Sequence, residues 1–374
     1  MATTTTRATI VGAVIIALAF GLAGTVAAKD KRELTVYTQN LYLGSDLTNL
    51  VGVSGVTFLI NATGDWGRIK CLTRFDLRAA QLAAQIQSAS PDLIALQEVS
   101  LWRSGPPDSL AGNRTPNATH VEFDYLNLLV DALAVQGLHY TIGAVSTNAD
   151  IEGPTFTLDA GCVPTNPTAD FTDIRYTDRD VILVKADDPD IVQTGAATGH
   201  YSAQLSVPVG GATAEFTRGW ASVGLQFEGK RVRLFNTHLE VESPPASGAV
   251  QVLQGNEAIA GPLATDDGAV IAAGDYNSAA DGSTTATYGN LIASGLIDSW
   301  SLVHPGNPGL TCCHDQNLFE ATATFNSRID LLLSKGPIRP LESTIVGSRY
   351  TPVAPGLATW PSDHAGVVTI FRLH

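Results

Sequence analysis

The sequence predicts an α/β fold in which mixed β-sheets carry helices on their outer faces. Three observations predict it. Apolar runs of strand length recur along nearly the whole chain. Segments of helical periodicity lie between several of them, the clearest placing Phe75, Ala79, Leu82 and Ile86 on one face. Several runs also end directly in polar clusters: TQN at 38–40, LQEV at 96–99, FNTHLE at 235–240, AAGDYNS at 272–278 and SRID at 327–330. A sheet core that delivers polar groups to strand ends can gather them along one edge.

Residues 34–38 read as the first strand, and 43–65, rich in Gly, Asn and Thr, as a loop insertion. Thr73 stands three residues before Asp76, a capping-box arrangement with Asp in place of Glu, and so predicts the start of a helix. Pro91 ends that helix, and 93–96 forms a strand, giving a β-α-β order. Residues 103–119 are polar and rich in Pro and Gly, a surface loop. A second amphipathic helix is expected over 123–135, a strand over 139–145, and an irregular stretch over 148–172. Strands follow at 180–185, 220–227 and 231–235, the last two joined by a short turn at Glu228, Gly229 and Lys230. Helices at 248–260 and 288–294 and strands at 270–273, 328–333 and 367–373 complete the reading.

The chain has 374 residues and a formal net charge of −14, with lysine scarce. Such a chain has no general attraction for a phosphate backbone, which argues against a non-specific nucleic-acid binder. At the N-terminus Arg7 precedes an apolar stretch over 10–26, followed by the small residues Val26, Ala27 and Ala28 and the polar run from Lys29. This reads as a secretory signal peptide over 1–28, cleaved after Ala28, with one domain over 29–374; the competing reading is an uncleaved anchor. The protein is therefore expected to be secreted, with a soluble mature body. The four cysteines, Cys71, Cys162, Cys312 and Cys313, suit two disulfides in an exported chain. Cys312 and Cys313, being adjacent, are each expected to pair with Cys71 or Cys162.

The polar clusters carry chemistry suited to a hard cation and a phosphoryl group. Taken singly each has a bland reading. Asn40 is a turn former, Asp275 and Asn277 an Asp/Asn turn, and Arg179 a surface partner of Asp178 or Asp180. Glu98 is less easily dismissed, because it stands between Leu96 and Val99. Asp330, with Ile329 and the leucines 331–333 around it, needs a partner.

In order, TQN, LQEV, NTHL, GDYN, RID and SDHAG resemble the endonuclease/exonuclease/phosphatase superfamily, in particular its secreted DNase and bacterial sphingomyelinase branches. The resemblance runs from Thr38 to His364. It implies a four-layer αββα sandwich, two mixed β-sheets packed face to face with helices outside. It also implies a metal-dependent phosphoric ester hydrolase, acting as a phosphodiesterase with Mg²⁺ as cofactor and Mn²⁺ or Ca²⁺ as alternatives. By that resemblance Glu98, Asn40 and Asp363 hold the metal. Asp275 orients or deprotonates the attacking water, and Asn277 donates to a phosphoryl oxygen. His364 pairs with Asp330 beside the scissile phosphate, and His238 serves the leaving group as general acid. Asn236, Tyr176 and Arg179 contact phosphate. The implied partner is a phosphodiester, either a phospholipid of sphingomyelin type or a nucleic acid; no stable protein partner is implied. Transient contact with a membrane surface would suit the lipid case, and Trp66 and Trp102 are the aromatic side chains available for it. The alternative to an enzyme is a non-catalytic extracellular binding module on the same fold.

Overall fold

Residues 33–112, 115–264, 268–348 and 360–374 are described by a computed structural model; the expected signal peptide over 1–28 lies outside them. The chain starts with β1 (Glu33–Asn40), α1 (Gly55–Gly67), α2 (Phe75–Ala89) and β2 (Leu93–Gln97). β3 (Leu101–Gly105) and β4 (His120–Asp124) form a hairpin before α3 (Tyr125–Val135). The long strands β5 (Tyr140–Phe156) and β6 (Phe171–Lys185) follow. Next come β7 (Ile191–His200), β8 (Leu205–Val209), β9 (Ala212–Phe216), β10 (Gly219–Phe227) and β11 (Lys230–His238). The remainder is α4 (Pro245–Ala260), β12 (Ala269–Asp275), α5 (Thr287–Ala293), β13 (Ile297–Asp298), α6 (Ser299–Val303), β14 (Asp330–Lys335), β15 (Ile338–Val346) and β16 (Gly366–Leu373).

One sheet has eight strands, in the order β15-β16-β1-β2-β6-β3-β4 with β5 also on β6; the other has six, in the order β13-β14-β12-β11-β10-β7. Their facing sides are apolar and fully packed: Leu34, Val36 and Ala95 of the first meet Val223, Leu234 and Ile271 of the second. The period-2 alternation of a strand sends the other residues outward. Tyr37, Ile94 and Leu183 therefore lie under Phe75, Leu82 and Ile86 of α2 and Leu129 of α3. On the far side Phe235, Val270 and Leu331 pack with Ala258 of α4 and Leu291 of α5. The result is the four-layer αββα sandwich. Each fully buried apolar side chain of this kind contributes roughly 1.5–3 kcal/mol. No helix of the described residues is long and apolar enough to cross a membrane.

Several local expectations need correction. Residues 55–67 form α1 rather than loop. α2 begins at Phe75, not at a capping Thr73; the Thr73 hydroxyl instead donates to the Gly44 carbonyl (2.8 Å), and Asp76 pairs with Arg74. β5 and β6 run far into the segment expected to be irregular, because long antiparallel pairing, Tyr140↔Lys185 through Phe156↔Phe171, satisfies its backbone. The cysteines pair differently too: Cys71 bonds Cys162 (Cα–Cα 6.4 Å) and Cys312 bonds Cys313 (Cα–Cα 3.1 Å). Cys312 is held in β-bridges to Ser327 and His364, which keeps that pair with the 311–327 segment. Trp66 and Trp102 are 3% exposed and pack on one another at 6.1 Å, so neither is a membrane-docking tip.

The topology itself assembles the functional edge. β1 runs parallel to β2, with Asn40 opposite Gln97, and β11 runs parallel to β12, with His238 opposite Asp275. β14 and β16 run antiparallel to β12 and β1, so the start of β14, at Asp330, lies opposite Asp275. C-terminal ends of the parallel strands and N-terminal ends of the antiparallel ones thus meet at one rim.

Candidate active site

Glu98 leaves β2 in a left-handed turn (φ 52°), an unusual conformation for a residue with a side chain. The turn is held from behind. The Val99 amide donates to the Arg179 carbonyl (2.9 Å), and the Arg179 guanidinium donates to the carbonyls of Val99 (2.7 Å) and Ser100 (3.2 Å) and to Asp124 (2.6 Å). Arg179 therefore braces the Glu98 turn through its Nε and Nη2 donors. The Glu98 carboxylate accepts the Leu43 amide (2.5 Å). Burial and the facing carboxylates Asp363 and Asp178 push Glu98 up to about 8. Burial likewise raises Asp363 to about 6, against the pull of His364 and Arg78.

Two half-buried carboxylates whose charges oppose one another are a donor set in need of a cation, and all-oxygen donors suit a hard divalent metal. Asn40 adjoins them. Its amide donates to Asp275 (3.1 Å) and its oxygen accepts the Tyr42 amide (2.9 Å). Arg78, fully buried on the apolar face of α2, donates to the carbonyls of Leu41 (2.7 Å), Tyr42 (2.9 Å) and Pro361 (2.6 Å). It so ties the segments that carry Asn40 and Asp363. A further group, Asp275, Asp330 and His364, has its ligand atoms within 4.8 Å of one another, a cluster consistent with a divalent metal site.

His364 Nδ1 hydrogen-bonds the Asp330 carboxylate (2.9 Å), while Nε2 faces Asp275 at 3.8 Å and Asp363 at 3.9 Å. Burial alone would push His364 down, but Asp330, Asp363 and Asp275 outweigh it and hold the ring well above its usual range. These three carboxylates thus favour the charged form of His364. Burial opposes ionisation of Asp275, yet the imidazoles of His238 and His364 and the Asn40 amide hold its carboxyl below the usual range.

His238 lies in a different field. Its Nδ1 meets the Arg218 guanidinium (3.0 Å), its Nε2 meets the Asn277 amide nitrogen (3.1 Å), and Asp275 is 3.5 Å from Nε2. Both ring nitrogens face N–H donors, so a second ring proton has nowhere to be accepted on the Arg218 side. Burial, then Arg218, push His238 down to about 3. This field disfavours the charged ring, the form that the expected general-acid role of His238 requires. Arg218 is itself held by Glu240 (3.5 Å) and Asp178 (3.8 Å). Asn277 also turns left-handed (φ 47°), with its backbone amide on Asp275 (2.9 Å) and its side-chain amide on the Leu239 carbonyl (3.0 Å).

Two other expected contacts resolve differently. Asn236 donates both amide hydrogens to the opposite sheet, to the carbonyls of Leu96 (2.9 Å) and Val181 (3.0 Å), and accepts from Gln97 (2.6 Å). It staples the two sheets and has no donor left for phosphate. Tyr176 keeps its hydroxyl at the site, donating to Asp178 (3.2 Å), while its ring packs at a tilt against Trp102 (4.7 Å between centroids). Sequence reading missed Arg78 and Arg218. A charge on the apolar face of α2 was a signal for the first; Arg218, in the short connection before β10, offered none.

The Endonuclease/Exonuclease/phosphatase family matches residues 70–364, and the chain belongs to that family. Among solved structures it is similar to an endonuclease/exonuclease/phosphatase from Beutenbergia cavernae (18% identity, 91% of this chain and 72% of that one, TM-score 0.52). It is similar also to a humanized D. rerio TDP2 (17%, 91% and 99%, 0.52) and to the Bacteroides thetaiotaomicron mannosyl-6-phosphatase Bt3783 (16%, 90% and 99%, 0.53). At these identities the likeness is one of fold. No curated protein matches the chain. Family membership and the acidic–histidine cluster are consistent with a metal-dependent phosphoesterase; the DNase and sphingomyelinase branches are not singled out by these likenesses.

Proposed function

We propose that the protein is an exported, Mg²⁺-dependent phosphodiesterase whose substrate is a phospholipid, of sphingomyelin type, or a nucleic acid. The observation that carries this reading is the array Asp330–His364–Asp275 beside the opposed carboxylates Glu98 and Asp363. Glu98, Asp363 and Asn40 would hold the metal, which supplies positive charge to a phosphoryl oxygen when bound. Asp275, ionised and flanked by His364, accepts the proton of an attacking water. His364, charged and oriented by Asp330, stabilises negative charge developing on the phosphoryl group. His238, neutral between Arg218 and Asn277, contributes a positioned ring and not a proton. Tyr176 and Arg218 border the same space.

The test is hydrolysis by purified protein, with and without EDTA, of plasmid DNA, RNA, sphingomyelin, phosphatidylcholine, inositol phosphates and a sugar phosphate. The last is included because a mannosyl-6-phosphatase shares the fold. EDTA-sensitive turnover of a diester is expected. Absence of turnover throughout, or turnover indifferent to EDTA, would overturn the reading. Export is tested separately: N-terminal sequencing of secreted protein should begin near Lys29.

A further inference from the structure

A cavity of 650 Å³ lies between α1, the β8–β9 hairpin and the β5–β6 ribbon, within the size range of small-molecule sites. Its walls are aromatic and aliphatic, with Phe58, Leu59, Trp66, Trp102, Tyr176 and Phe216 foremost. The elements that enclose it are fastened to one another. The Gly52 amide donates to the Pro208 carbonyl (2.7 Å) and the Gly210 amide to the Val53 carbonyl (3.0 Å). Gly210 also leaves room for Phe58; a Cβ there would stand 3.2 Å from the ring, at a φ of 61° that favours glycine.

The inner wall is shared with the catalytic cluster. Tyr176 lines the cavity with its ring while its hydroxyl bonds Asp178, which faces Arg218. Trp102 lines it too, and its Nε1 donates to the carbonyl of Leu43 (3.1 Å), the residue whose amide binds Glu98. The charge of the lining decides what fits. Among the described residues no lysine or arginine lines the cavity, whereas Asp65, Asp150, Glu152 and Glu215 do. A polynucleotide needs cations along its path, and this wall offers carboxylates and apolar surface instead.

We propose that this cavity receives the alkyl chain of the substrate, and that the substrate is accordingly a phospholipid-type phosphodiester. The inference rests on the phosphodiesterase reading and deepens it by choosing between its two substrate classes. The phosphate lies at the strand-end rim, and the chain extends past Tyr176 and Trp102 under α1.

The test separates binding from turnover. Binding of monomeric alkylphosphocholines of six, eight and ten carbons is measured by calorimetry on the wild-type protein and on Ala214→Trp. Ala214 lies on the hairpin and lines the cavity without touching the catalytic groups. Affinity of the wild type should rise with chain length, by up to about fourfold per methylene. Ala214→Trp should flatten that dependence, while hydrolysis of bis(p-nitrophenyl) phosphate stays within about twofold of wild type. Ala212→Trp, on the same face of β9 and also lining the cavity, provides the same blockade if Ala214→Trp does not fold. Chain-length-independent binding, or a length dependence that survives both substitutions, would overturn the cavity assignment even with bis(p-nitrophenyl) phosphate still hydrolysed. Conversely, length-dependent binding without turnover of any phosphoester would support the cavity and sink the phosphodiesterase reading.

Discussion

The two histidines at the sheet rim flank one carboxylate, Asp275, yet they live in opposite fields. His364 rests its Nδ1 on Asp330 and is held charged; His238 rests its Nδ1 on Arg218 and is held neutral, near 3. Both rings are deeply buried, so burial, which lowers each, cannot explain the divergence. The partner at Nδ1 does. Residue type alone therefore does not assign an acid or a base; the charge delivered by a neighbouring strand end or loop does.

The comparison can be broken at four points. The largest effect is expected for His364→Ala, since it removes the only one of the two rings that carries charge. Turnover on any phosphodiester should fall by about 10²- to 10⁴-fold, with metal affinity by calorimetry unchanged because the metal rests on Glu98, Asp363 and Asn40. A fall in affinity would instead place it on the Asp275–Asp330–His364 cluster, and a loss of less than threefold in turnover would dismiss His364 from the chemistry. Next comes Glu98→Gln, which relieves the opposed carboxylates and should raise the metal concentration needed for half-maximal rate by roughly tenfold or more, as loss of a charged metal ligand implies. An unchanged metal titration would move the metal away from Glu98.

His238→Ala should cost less than His364→Ala and, because a neutral ring donates no proton to the leaving group, should cost equally on an alkyl diester and on an activated aryl diester. A selective loss on the alkyl diester would restore His238 as general acid and defeat the contrast drawn above.

The smallest effect is a change of pH response in Arg218→Gln. His238 has a folded value below its unfolded one, so its contribution to stability is present above about 6.5 and is lost as pH falls toward 3. Without the guanidinium the folded value should rise and that window should narrow. Imidazole NMR titration of both proteins reads it directly; coincident curves would show that Arg218 does not set the state of His238.

Much of the fold was legible because its strands are long apolar runs and its motifs end them. Leu93 to Leu96 and Val270 to Ala273 could hardly be anything else, and Glu98 and Asp275 follow them in sequence as they do in space. The misreadings share a physical cause: each depended on what lay across the fold. Asn236 reads as a phosphate ligand until Leu96 and Val181 arrive from the other sheet to take its two hydrogens. Arg179 reads as a phosphate contact or a surface ion pair until the carbonyls behind Glu98 claim it. α1 was hidden because Gly, Asn and Thr make a poor helix on propensity alone; it forms where Phe58, Ala62 and Trp66 find buried contacts. The pairing of Cys71 with Cys162, 91 residues apart, has no local signature at all.

Glu98 and Asn277 each leave their strand through a left-handed turn, though neither is glycine. A backbone shape of this kind disfavours a side chain such as that of Glu98 by about 1 kcal/mol or more, whereas asparagine tolerates it. Replacing Glu98 by glycine should thus make the fold sturdier while emptying the rim of a working group. Stability and catalysis are in this way set against each other at a single position, and a lineage no longer selected for turnover would drift downhill toward glycine there. The sandwich would outlast its chemistry, leaving a hardier protein that could still bind but no longer cut.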